Sequence, residues 1–496
     1  MKKIIIIGAG ISGLTAGIFG IKSGFEVEIF EMHSIAGGEC TGWSRKNYHF
    51  DNCIHWLTGS NKESDLYKVW EEIGALENTE IEKFDYLYSI NYEGKTLYLY
   101  SDLEKLRNHL LDLSSEDKEE IEALIAAAND MKSFSIPTKK PMDMMNIIDY
   151  IKLAKSYGRA GKNVSKFDKL SLEEYSMRFK SAIIRKAITS SLPEGYSATP
   201  LFFLLGSLGS GDCGWPRGGS LAMSQRIEKK FKSLGGKINY NSKVKSIVIK
   251  ENKASGIELD SGEIIEANYI ISAIDAKKLL SDLLQDKYKD GVFDKLYNNT
   301  KDYPIHSSVN LGLGVKCDLS KRDHSASFEV EPFKCGNEYV DSISIKHYCN
   351  EKGFSPEGCS SIRVNIMCND YEYWKELKEN NKELYYKEKE GICKDLISRI
   401  ENIYPEIIGN VEVTDVCTPI TYERYCGAYR GAWMAFDKKA NVKSIVHKGK
   451  IKDISNLYVG GQWIMSPGGL PVACLSGKWA IQKICTTENK RFYFKY

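Results

Sequence analysis

The sequence predicts a mixed α/β fold, and three observations carry that prediction. A β-branched run, Lys3–Ile7, leads directly into a glycine-rich turn and a helix-like stretch. A second apolar run ends in a carboxylate roughly 20 residues after those glycines. A further glycine-rich block near the other end of the chain precedes an apolar helix. Both ends of the chain are therefore expected to build one Rossmann-like domain, interleaved with a second, α+β domain.

Length and composition are those of a globular chain with more than one core. At 496 residues the chain exceeds what a single hydrophobic core usually supports. A formal net charge of +2 gives no field that would attract nucleic acid, so no nucleic-acid partner is expected. The longest apolar stretch, near 201–205, is too short to span a bilayer. The isoleucine run at the amino terminus is too short for a signal peptide.

The 13 cysteines are scattered singly, without a CxxC pair. Neither a zinc site nor a thioredoxin-like motif is therefore indicated, and no metal ligands are predicted. A reduced, cytoplasmic compartment fits this usage best.

The amino-terminal turn has the glycine spacing of a dinucleotide site. Gly8 permits the tight turn, Gly10 lets a pyrophosphate approach the main chain, and Gly13 lets the helix pack on the strand. The helix predicted at 14–22 offers free amides to phosphates, and Ser12, just before it, is an expected cofactor contact. Glu31 ends the second strand, where ribose hydroxyls need an acceptor. A second match to the same spacing, at 209–214, is followed by proline and further glycines, so we interpret it as a loop.

Two further glycine blocks extend the predicted site. One follows Glu31 closely, and the other precedes the apolar helix predicted at 472–484. That helix would direct its amino-terminal amides at an electron-rich ligand. The expected cofactor contacts in these blocks are Gly37, Gly38, Gly461, Gln462, Gly469, Leu470 and Pro471.

Four blocks together resemble the FAD-dependent phytoene desaturase and carotenoid desaturase-like oxidoreductases, a family that includes retinol saturase-like enzymes. The blocks are Gly8–Gly38, Trp215–Leu221, Thr418–Arg424 and Asn456–Gly477. The resemblance implies one FAD in a Rossmann-like FAD-binding domain of the glutathione reductase/amine oxidase type. Two positions depart from the family pattern, because Gln462 replaces an acidic residue or alanine and Glu39 replaces a basic residue.

The resemblance also implies how the chain is divided. Residues 1–86, 215–280 and 441–496 are expected to form the discontinuous FAD-binding domain, in which Val244 contacts the adenine through its main chain. Residues 87–214 and 281–440 are expected to form the substrate-binding domain. The first of these inserts has helical periodicity, with helices predicted at 103–113, 118–131 and 144–157.

Part of the helical insert has the composition of a membrane-facing surface. Between Lys139 and Lys166, seven residues are basic and two are aspartates, with methionines and isoleucines interspersed. A basic amphipathic helix on anionic lipid, at the inner face of the membrane, fits this pattern. A solvated helix with an ordinary core face fits it as well.

Three residues are the candidates for catalysis. His55 follows the early glycine pair and is able to exchange a proton with a substrate, although a hydrogen-bonded loop histidine is the alternative. Arg217 is suited to orienting a polar substrate end or contacting flavin phosphates, or else to a structural ion pair. Tyr425 follows the third family block and is predicted to face the flavin, with ordinary packing as the alternative.

The leading functional hypothesis is hydride transfer at flavin N5 to or from C–C bonds of an apolar isoprenoid, carotenoid-like or lipid substrate, by desaturation, saturation or isomerisation. The alternatives are a flavin amine oxidase-like enzyme and a non-catalytic lipid-binding flavoprotein. The electron donor or acceptor is left open among quinone, oxygen, ferredoxin and nicotinamide.

Overall fold

The computed structural model describes residues 1–190 and 192–495. Its strands are β1 (Lys3–Ile7), β2 (Glu26–Phe30), β3 (Gly42–Arg45), β4 (Tyr48–Asp51), β5 (Ile81–Glu82), β6 (Tyr86–Tyr92), β7 (Lys95–Tyr100), β8 (Trp215–Pro216), β9 (Lys237–Asn239), β10 (Val244–Lys250), β11 (Lys253–Leu259), β12 (Ile264–Glu266), β13 (Tyr269–Ser272), β14 (Ser308–Val315), β15 (Ser325–Cys335), β16 (Glu338–His347), β17 (Ser360–Met367), β18 (Val411–Cys417) and β19 (Leu457–Val459).

The helices are α1 (Ile11–Lys22), α2 (Asp65–Glu72), α3 (Leu103–Leu113), α4 (Lys118–Met131), α5 (Ile147–Phe167), α6 (Leu172–Ser176), α7 (Ala182–Thr189), α8 (Thr199–Gly209), α9 (Gly219–Ser233), α10 (Ala276–Lys278), α11 (Gly291–Asn298), α12 (Tyr371–Asn380), α13 (Lys382–Ile403), α14 (Pro419–Cys426) and α15 (Gly469–Thr487). A π-helical turn, Leu279–Leu283, continues α10.

A parallel sheet of five strands joins the two ends of the chain. Its order is β19-β13-β1-β2-β9, so the carboxy-terminal strand lies two places from the amino-terminal one. The isoleucines of β1 are completely buried, as expected for a central parallel strand covered on both faces. The predicted α/β fold with a Rossmann-like domain is confirmed.

Close helix packing positions the crevice of this domain. Helix α1 packs against α15, and a β-carbon at Gly477 would lie 2.2 Å from the main-chain oxygen of Ser12. The absence of a side chain at that glycine lets the two helices approach almost to main-chain contact. The first turn of α1 therefore packs against the middle of α15.

A second sheet has seven strands in the order β18-β14-β17-β16-β15-β6-β7, antiparallel except where β15 meets β6. Side chains alternate between its faces. One face is apolar and packs with α12 and α13; Leu311 and Val364 are among its fully buried members. The other face carries Asn310, Arg363 and Lys346. Alternation of apolar and polar residues at 308–313 and 361–367 predicts two strands from the sequence, and these correspond to β14 and β17.

The helical insert has a core of its own. The predicted helices at 103–113 and 118–131 have the observed bounds, whereas the third begins at Ile147 rather than 144. Its start is set by a capping box, in which Asn146 accepts a hydrogen bond from the Asp149 amide and the Asp149 side chain accepts one from Asn146. The apolar side chains of Ile147, Ile148 and Ile151 are exposed on this helix.

The sequence pattern at 264–272 predicts one strand, but the structure contains two strands in this range. Strand β12 belongs to a small sheet with β10 and β11, and β13 belongs to the parallel sheet. The chain changes partner at Ala267 and Asn268, whose amides bond to Ser255 and to Lys3 respectively. The predicted domain limits stay a prediction, although residues 87–213 share one apolar cluster and 309–420 share another. Within the described residues, no helix has the length and apolarity needed to cross a membrane.

Candidate functional site

The turn after β1 has the geometry of a phosphate cradle. Gly8 has a φ of +96°, and a β-carbon at Gly13 would lie 2.0 Å from the Gly8 oxygen, so both positions require glycine. A β-carbon at Gly10 would meet nothing closer than 3.9 Å, which leaves open space beside the main chain. No side chain caps the amino terminus of α1. Its first amides are therefore available to an anion.

Glu31 is fixed at the mouth of this turn. One carboxylate oxygen accepts a hydrogen bond from the Ala9 amide at 2.8 Å, and the other accepts one from the His33 amide at 3.0 Å. Each oxygen keeps a lone pair that is able to accept a ribose hydroxyl. The Ser242 amide donates to the Glu31 main-chain oxygen at 2.8 Å, which brings Val244, at the start of β10, close to the same end of β2.

The second glycine pair lies directly against the first turn. The Gly37 amide donates to Ala9 at 2.9 Å, and a β-carbon at Gly38 would lie 3.4 Å from the Gly10 α-carbon. Both glycines have positive φ, and a β-carbon at Gly37 would lie 2.6 Å from the Cys40 oxygen. The two glycine blocks predicted separately from sequence thus form one continuous wall.

The carboxy-terminal block forms the opposite wall. The Gly461 amide donates to the Ser476 hydroxyl at 2.7 Å, and that hydroxyl lies 3.1 Å from the hydroxyl of Ser12. The Gln462 side-chain oxygen accepts from the Gly469 amide at 2.9 Å at the start of α15. Leu470 and Pro471 follow in the first turn of that helix, whose N-cap residue, Gly468, has no side chain to cap it.

A buried acid lies beside this wall. The Gln462 amide donates to Glu39 at 3.0 Å. Burial raises the pKa of Glu39 to about 8, with a further contribution from the charge of Asp275. Glu39 is therefore mostly protonated at neutral pH. Burial also raises the pKa of Asp275 to about 6, against the lowering effect of hydrogen bonds from main-chain amides.

His55 is exposed, yet protein surrounds it closely. Desolvation lowers the pKa of its imidazole well below the usual range, and the charges of Arg363 and Lys346 lower it further. The Lys346 ammonium donates to the main-chain oxygen of His55 at 3.2 Å. An exposed group with this much protein around it lies in a recess rather than on a convex surface. The loop that carries it is attached to the crevice, because Asn52 donates from its side chain to the Glu39 main-chain oxygen at 3.2 Å.

The structure separates the three catalytic candidates. Arg217 forms ion pairs with Glu82 and Glu351, both at 2.9 Å, which is the structural alternative that the sequence left open. Tyr425 is exposed, and its ring lies 6.1 Å from that of His33, on the Glu31 side of the crevice. Of the three candidates, His55 is the one on which the buried side chains of Arg363 and Lys346 act.

Sequence reasoning missed three residues beside His55. Lys346 and Arg363 are cross-strand neighbours on the polar face of the second sheet, and Tyr422 is buried in α14 next to Arg363. One signal was present in the sequence: Arg363 alternates with fully buried isoleucine and valine in β17, so it occupies the face opposite the core.

The loop at 209–214 serves a structural purpose. Asp212 accepts hydrogen bonds from the amides of Gly59 and Ser60, at 2.8 and 2.6 Å, and from the hydroxyl of Ser60. It opens no helix, in agreement with its interpretation as a loop. Among residues 1–190 and 192–495, no group of His, Cys, Asp or Glu side chains is arranged to hold a metal ion.

These features fit a dinucleotide with two phosphates and a large ring system. The amino termini of α1 and α15 both contribute to one crevice, Glu31 is fixed as an acceptor at its ribose end, and His55 lies in a recess on its other side. The arrangement defines a Rossmann-type flavin-binding oxidoreductase.

Comparison with known proteins agrees with this assignment. Residues 11–485 match the family described as flavin containing amine oxidoreductase, and the chain belongs to that family. It is 23% identical over 514 residues to the 4,4'-diaponeurosporene oxygenase of Staphylococcus aureus strain MW2, with 99% of each chain covered. An oxidoreductase from Methanosarcina mazei has a TM-score of 0.60 at 16% identity, covering 97% of this chain and 100% of the other. Wild-type putrescine oxidase bound to putrescine has a TM-score of 0.60 at 13% identity, covering 98% and 99%.

The protein is thus a FAD-dependent oxidoreductase, similar to the carotenoid desaturase-like enzymes. The residues of the two walls and Glu31 would hold FAD. When bound, the flavin would supply a hydride acceptor or donor at N5. The protein's own residues would provide the phosphate cradle and a ribose acceptor, beside a protonated Glu39 and the imidazole of His55.

Proposed function

We propose that the protein oxidises, reduces or isomerises C–C bonds of an apolar isoprenoid, carotenoid-like or lipid substrate. The observation that carries this proposal is the environment of His55, an exposed imidazole whose pKa the surrounding protein lowers by desolvation. Hydride transfer to or from carbon needs a positioned C–H bond and a dry site. The Staphylococcus aureus relative is a 4,4'-diaponeurosporene oxygenase, and this supports the same class of substrate.

The charges around His55 argue against an amine substrate. Arg363 and Lys346 both lower the pKa of His55, so the electrostatic potential at its imidazole is positive. A protonated amine would be repelled there, whereas a neutral or anionic molecule would not. This favours the polyene or lipid substrate over the amine oxidase alternative.

His55 is assigned the proton-handling role in this proposal. With its pKa lowered, the imidazole is neutral near pH 7 and has one nitrogen free to accept a proton. Loss of a hydride from one carbon and a proton from its neighbour creates a double bond. In the reverse direction, the same group returns the proton.

The test is anaerobic reduction of the bound flavin. The protein is purified without added cofactor, and its released cofactor is identified as FAD from the heat supernatant. Apolar polyenes, isoprenoids and unsaturated lipids are then mixed with it, and the flavin absorbance is followed. Bleaching by a polyene or lipid supports the proposal. Bleaching and peroxide formation only with amines would establish the amine oxidase instead. No response in either redox state to any substrate would leave a lipid-binding flavoprotein.

We also propose peripheral contact with an anionic membrane through the amino-terminal part of α5. Three of its isoleucines are exposed, and basic side chains surround them. Such a surface gives an oily substrate a route from lipid to protein. The electron partner is proposed to be a quinone, oxygen, ferredoxin or a nicotinamide that binds transiently.

A further inference from the structure

The polarity of one face of the second sheet is unexpected, because an apolar substrate would be expected to contact hydrocarbon side chains there. Asn310 and Asn365 are paired on that face, and so are Arg363 and Lys346. Arg363 is 8% exposed and Lys346 is 9% exposed, so both cations are withdrawn from bulk water. Burying two positive charges side by side is costly unless a partner compensates them.

The hydrogen bonds of these cations go to neutral acceptors. Lys346 donates to the main-chain oxygen of His55 at 3.2 Å, and its ammonium lies 4.0 Å from the ring centroid of Trp215. Arg363 donates to the Asn310 side chain at 2.9 Å and to the main-chain oxygen of Asn52. Within the part of the chain that the structure describes, neither cation is hydrogen-bonded to a carboxylate.

The nearby carboxylate of Asp51 is already occupied. One of its oxygens accepts from the Ser220 amide at 2.6 Å, and the other accepts from the Ser220 hydroxyl at 2.7 Å. The Asp51 carboxylate acts on Lys346 and Arg363 through space, and Glu351 and Glu82 act on Lys346 in the same way. Arg363 also donates to the Asp51 main-chain oxygen at 3.4 Å. These carboxylates reduce the cost of burying the two charges.

A hydroxyl without an acceptor lies beside Arg363. Tyr422 is 7% exposed, and within residues 1–190 and 192–495 its hydroxyl donates to no acceptor. The guanidinium of Arg363 acts on the Tyr422 oxygen as a charge and as a donor, which leaves the hydroxyl hydrogen unused. A buried O–H group without an acceptor is uncommon, because it loses its bond to water and gains nothing in return. Arg363 neighbours both Lys346 and Tyr422, and all three side chains are able to donate.

We propose that Lys346, Arg363 and Tyr422 bind the oxygen-bearing, anionic end of an otherwise apolar substrate, with a carboxylate as the preferred group. This inference rests on the proposed function, since it assigns one end of the same substrate. A carboxylate supplies only acceptors, which matches a set of donors, and its charge compensates the cations. The apolar remainder would then extend from the sheet past His55.

The test measures affinity for ligands that differ only in charge. The FAD-loaded protein is titrated with all-trans retinoic acid and with its methyl ester, and binding is followed by the visible spectrum of the bound flavin and by tryptophan fluorescence. The acid is expected to bind about 10-fold more tightly than the ester or better, the effect of a charge-assisted hydrogen bond. In Lys346→Met this preference is expected to fall to about 2-fold or less, with the ester's affinity unchanged.

Controls separate a binding role from a structural one. Lys334→Met removes an exposed lysine from β15 of the same sheet and should keep the full preference. Lys346→Arg should restore most of it, and Tyr422→Phe should weaken it in part. Because Arg363 also supports the loop at Asn52, its replacement is not the primary variant. Equal affinity for acid and ester in the wild type, or an unchanged preference in Lys346→Met, would overturn the inference.

A pair of short probes distinguishes failure of this inference from failure of the proposed function. Benzoate and benzamide have the same ring and differ in charge, and neither requires a polyene cavity. If benzoate binds and Lys346→Met abolishes that binding, the anion site stands even where no polyene reduces the flavin. If polyenes reduce the flavin but neither carboxylate is preferred, the proposed function stands and the anion site does not. A changed flavin spectrum in ligand-free Lys346→Met, with the preference for acid intact, would assign the cation to the flavin and refute the site.

Discussion

Gln462 donates a hydrogen bond to Glu39 at 3.0 Å, although 423 residues separate the two in the chain. Each of these residues departs from the family pattern, and the structure shows that the departures are in contact. The same glutamine also accepts a hydrogen bond from Gly469 at the start of α15. One side chain thus connects the early glycine wall to the carboxy-terminal helix. The protonated state of Glu39 is compatible with an anionic cofactor nearby, because a neutral acid adds no repulsion.

Replacement of Glu39 by glutamine is expected to flatten the pH dependence of stability. The pKa of Glu39 rises from 4.5 to about 8 on folding. Its contribution to stability is therefore fully present below pH 4.5 and is lost as the pH rises through about 8. The limit for one group is about 1.4 kcal/mol per pH unit, and less where solvent reaches the carboxylate. Thermal unfolding of the FAD-free protein from pH 5 to 9 measures this.

Glu39→Gln should lose less stability than the wild type over that range, because it imitates the protonated acid at every pH. The exposed Glu357→Gln is the matched control and should leave the wild-type slope in place. Parallel slopes for wild type and Glu39→Gln would show that the acid is ionised in the folded protein. Asp275 contributes in the same direction at lower pH in both proteins, so the difference isolates Glu39.

Substitutions at two glycines of the first turn should distinguish an effect on folding from an effect on cofactor binding. A β-carbon at Gly13 would collide with the Gly8 oxygen at 2.0 Å, whereas one at Gly10 would have 3.9 Å of clearance. We expect Gly13→Ala to lower the free energy of unfolding by about 3 kcal/mol or more. Gly10→Ala should cost about 1 kcal/mol or less in the FAD-free protein, yet weaken FAD binding about 10-fold or more, because its methyl group occupies the pyrophosphate approach.

Denaturant unfolding and FAD titration of both variants make the measurement. A Gly10→Ala protein that binds FAD as well as the wild type would contradict the placement of the phosphates at this turn. A Gly13→Ala protein of wild-type stability would contradict the close packing of α1 on β1.

The elements around this turn could be predicted from sequence because their signals are local. Glycine spacing and β-branched runs located β1, α1 and β2 without any knowledge of the remaining chain. The helix at Leu103–Leu113 could be placed at its observed bounds because Asp102 caps it, accepting from the amides of Glu104 and Lys105.

The anion site could not be predicted in the same way. Whether Arg363 faces the core or His55 depends on which side of the second sheet α12 and α13 cover, and that is a long-range fact. Alternation in β17 indicates two different faces but does not say what each face meets. The contact between Glu39 and Gln462 could not be predicted either. The sequence shows that each residue departs from the family pattern, but it does not show that the two are neighbours.

His55→Ala is expected to retain FAD and to lower the rate of substrate-dependent flavin reduction about 100-fold or more, the usual scale for loss of a general acid or base. Because the pKa of His55 lies well below its usual value, titration of this residue should cause no change in the wild-type rate of flavin reduction near pH 6.5. Stopped-flow absorbance under anaerobic conditions from pH 5.5 to 8.5 measures both effects.

His55→Gln distinguishes proton transfer from positioning. Glutamine keeps a hydrogen-bonding side chain but does not titrate, so it should be as slow as alanine if His55 exchanges a proton. Recovery of the rate with glutamine would assign His55 a positioning role. Loss of FAD from either variant would instead place it in the structural support of the crevice.

The exposed isoleucines of α5 should carry the membrane contact. Ile147, Ile148 and Ile151 are 78%, 61% and 50% exposed, a high exposure for three apolar side chains on one short stretch. The wild type should sediment with vesicles of phosphatidylcholine and phosphatidylglycerol, and less so at high salt, because lysines surround the patch. Replacing all three by serine should lower partitioning about 10-fold or more through lost apolar burial.

The matched control replaces exposed isoleucines elsewhere, Ile264 and Ile408, each 61% exposed. That double variant removes two exposed isoleucines that lie outside α5. Unchanged vesicle binding would therefore show that the contact depends on α5 and not on exposed apolar surface in general. Serine leaves the capping box at Asn146 and Asp149 intact, so α5 should still form. If the wild type stays in the supernatant with anionic vesicles at low salt, the exposed isoleucines do not bind lipid, and the substrate must enter by another route.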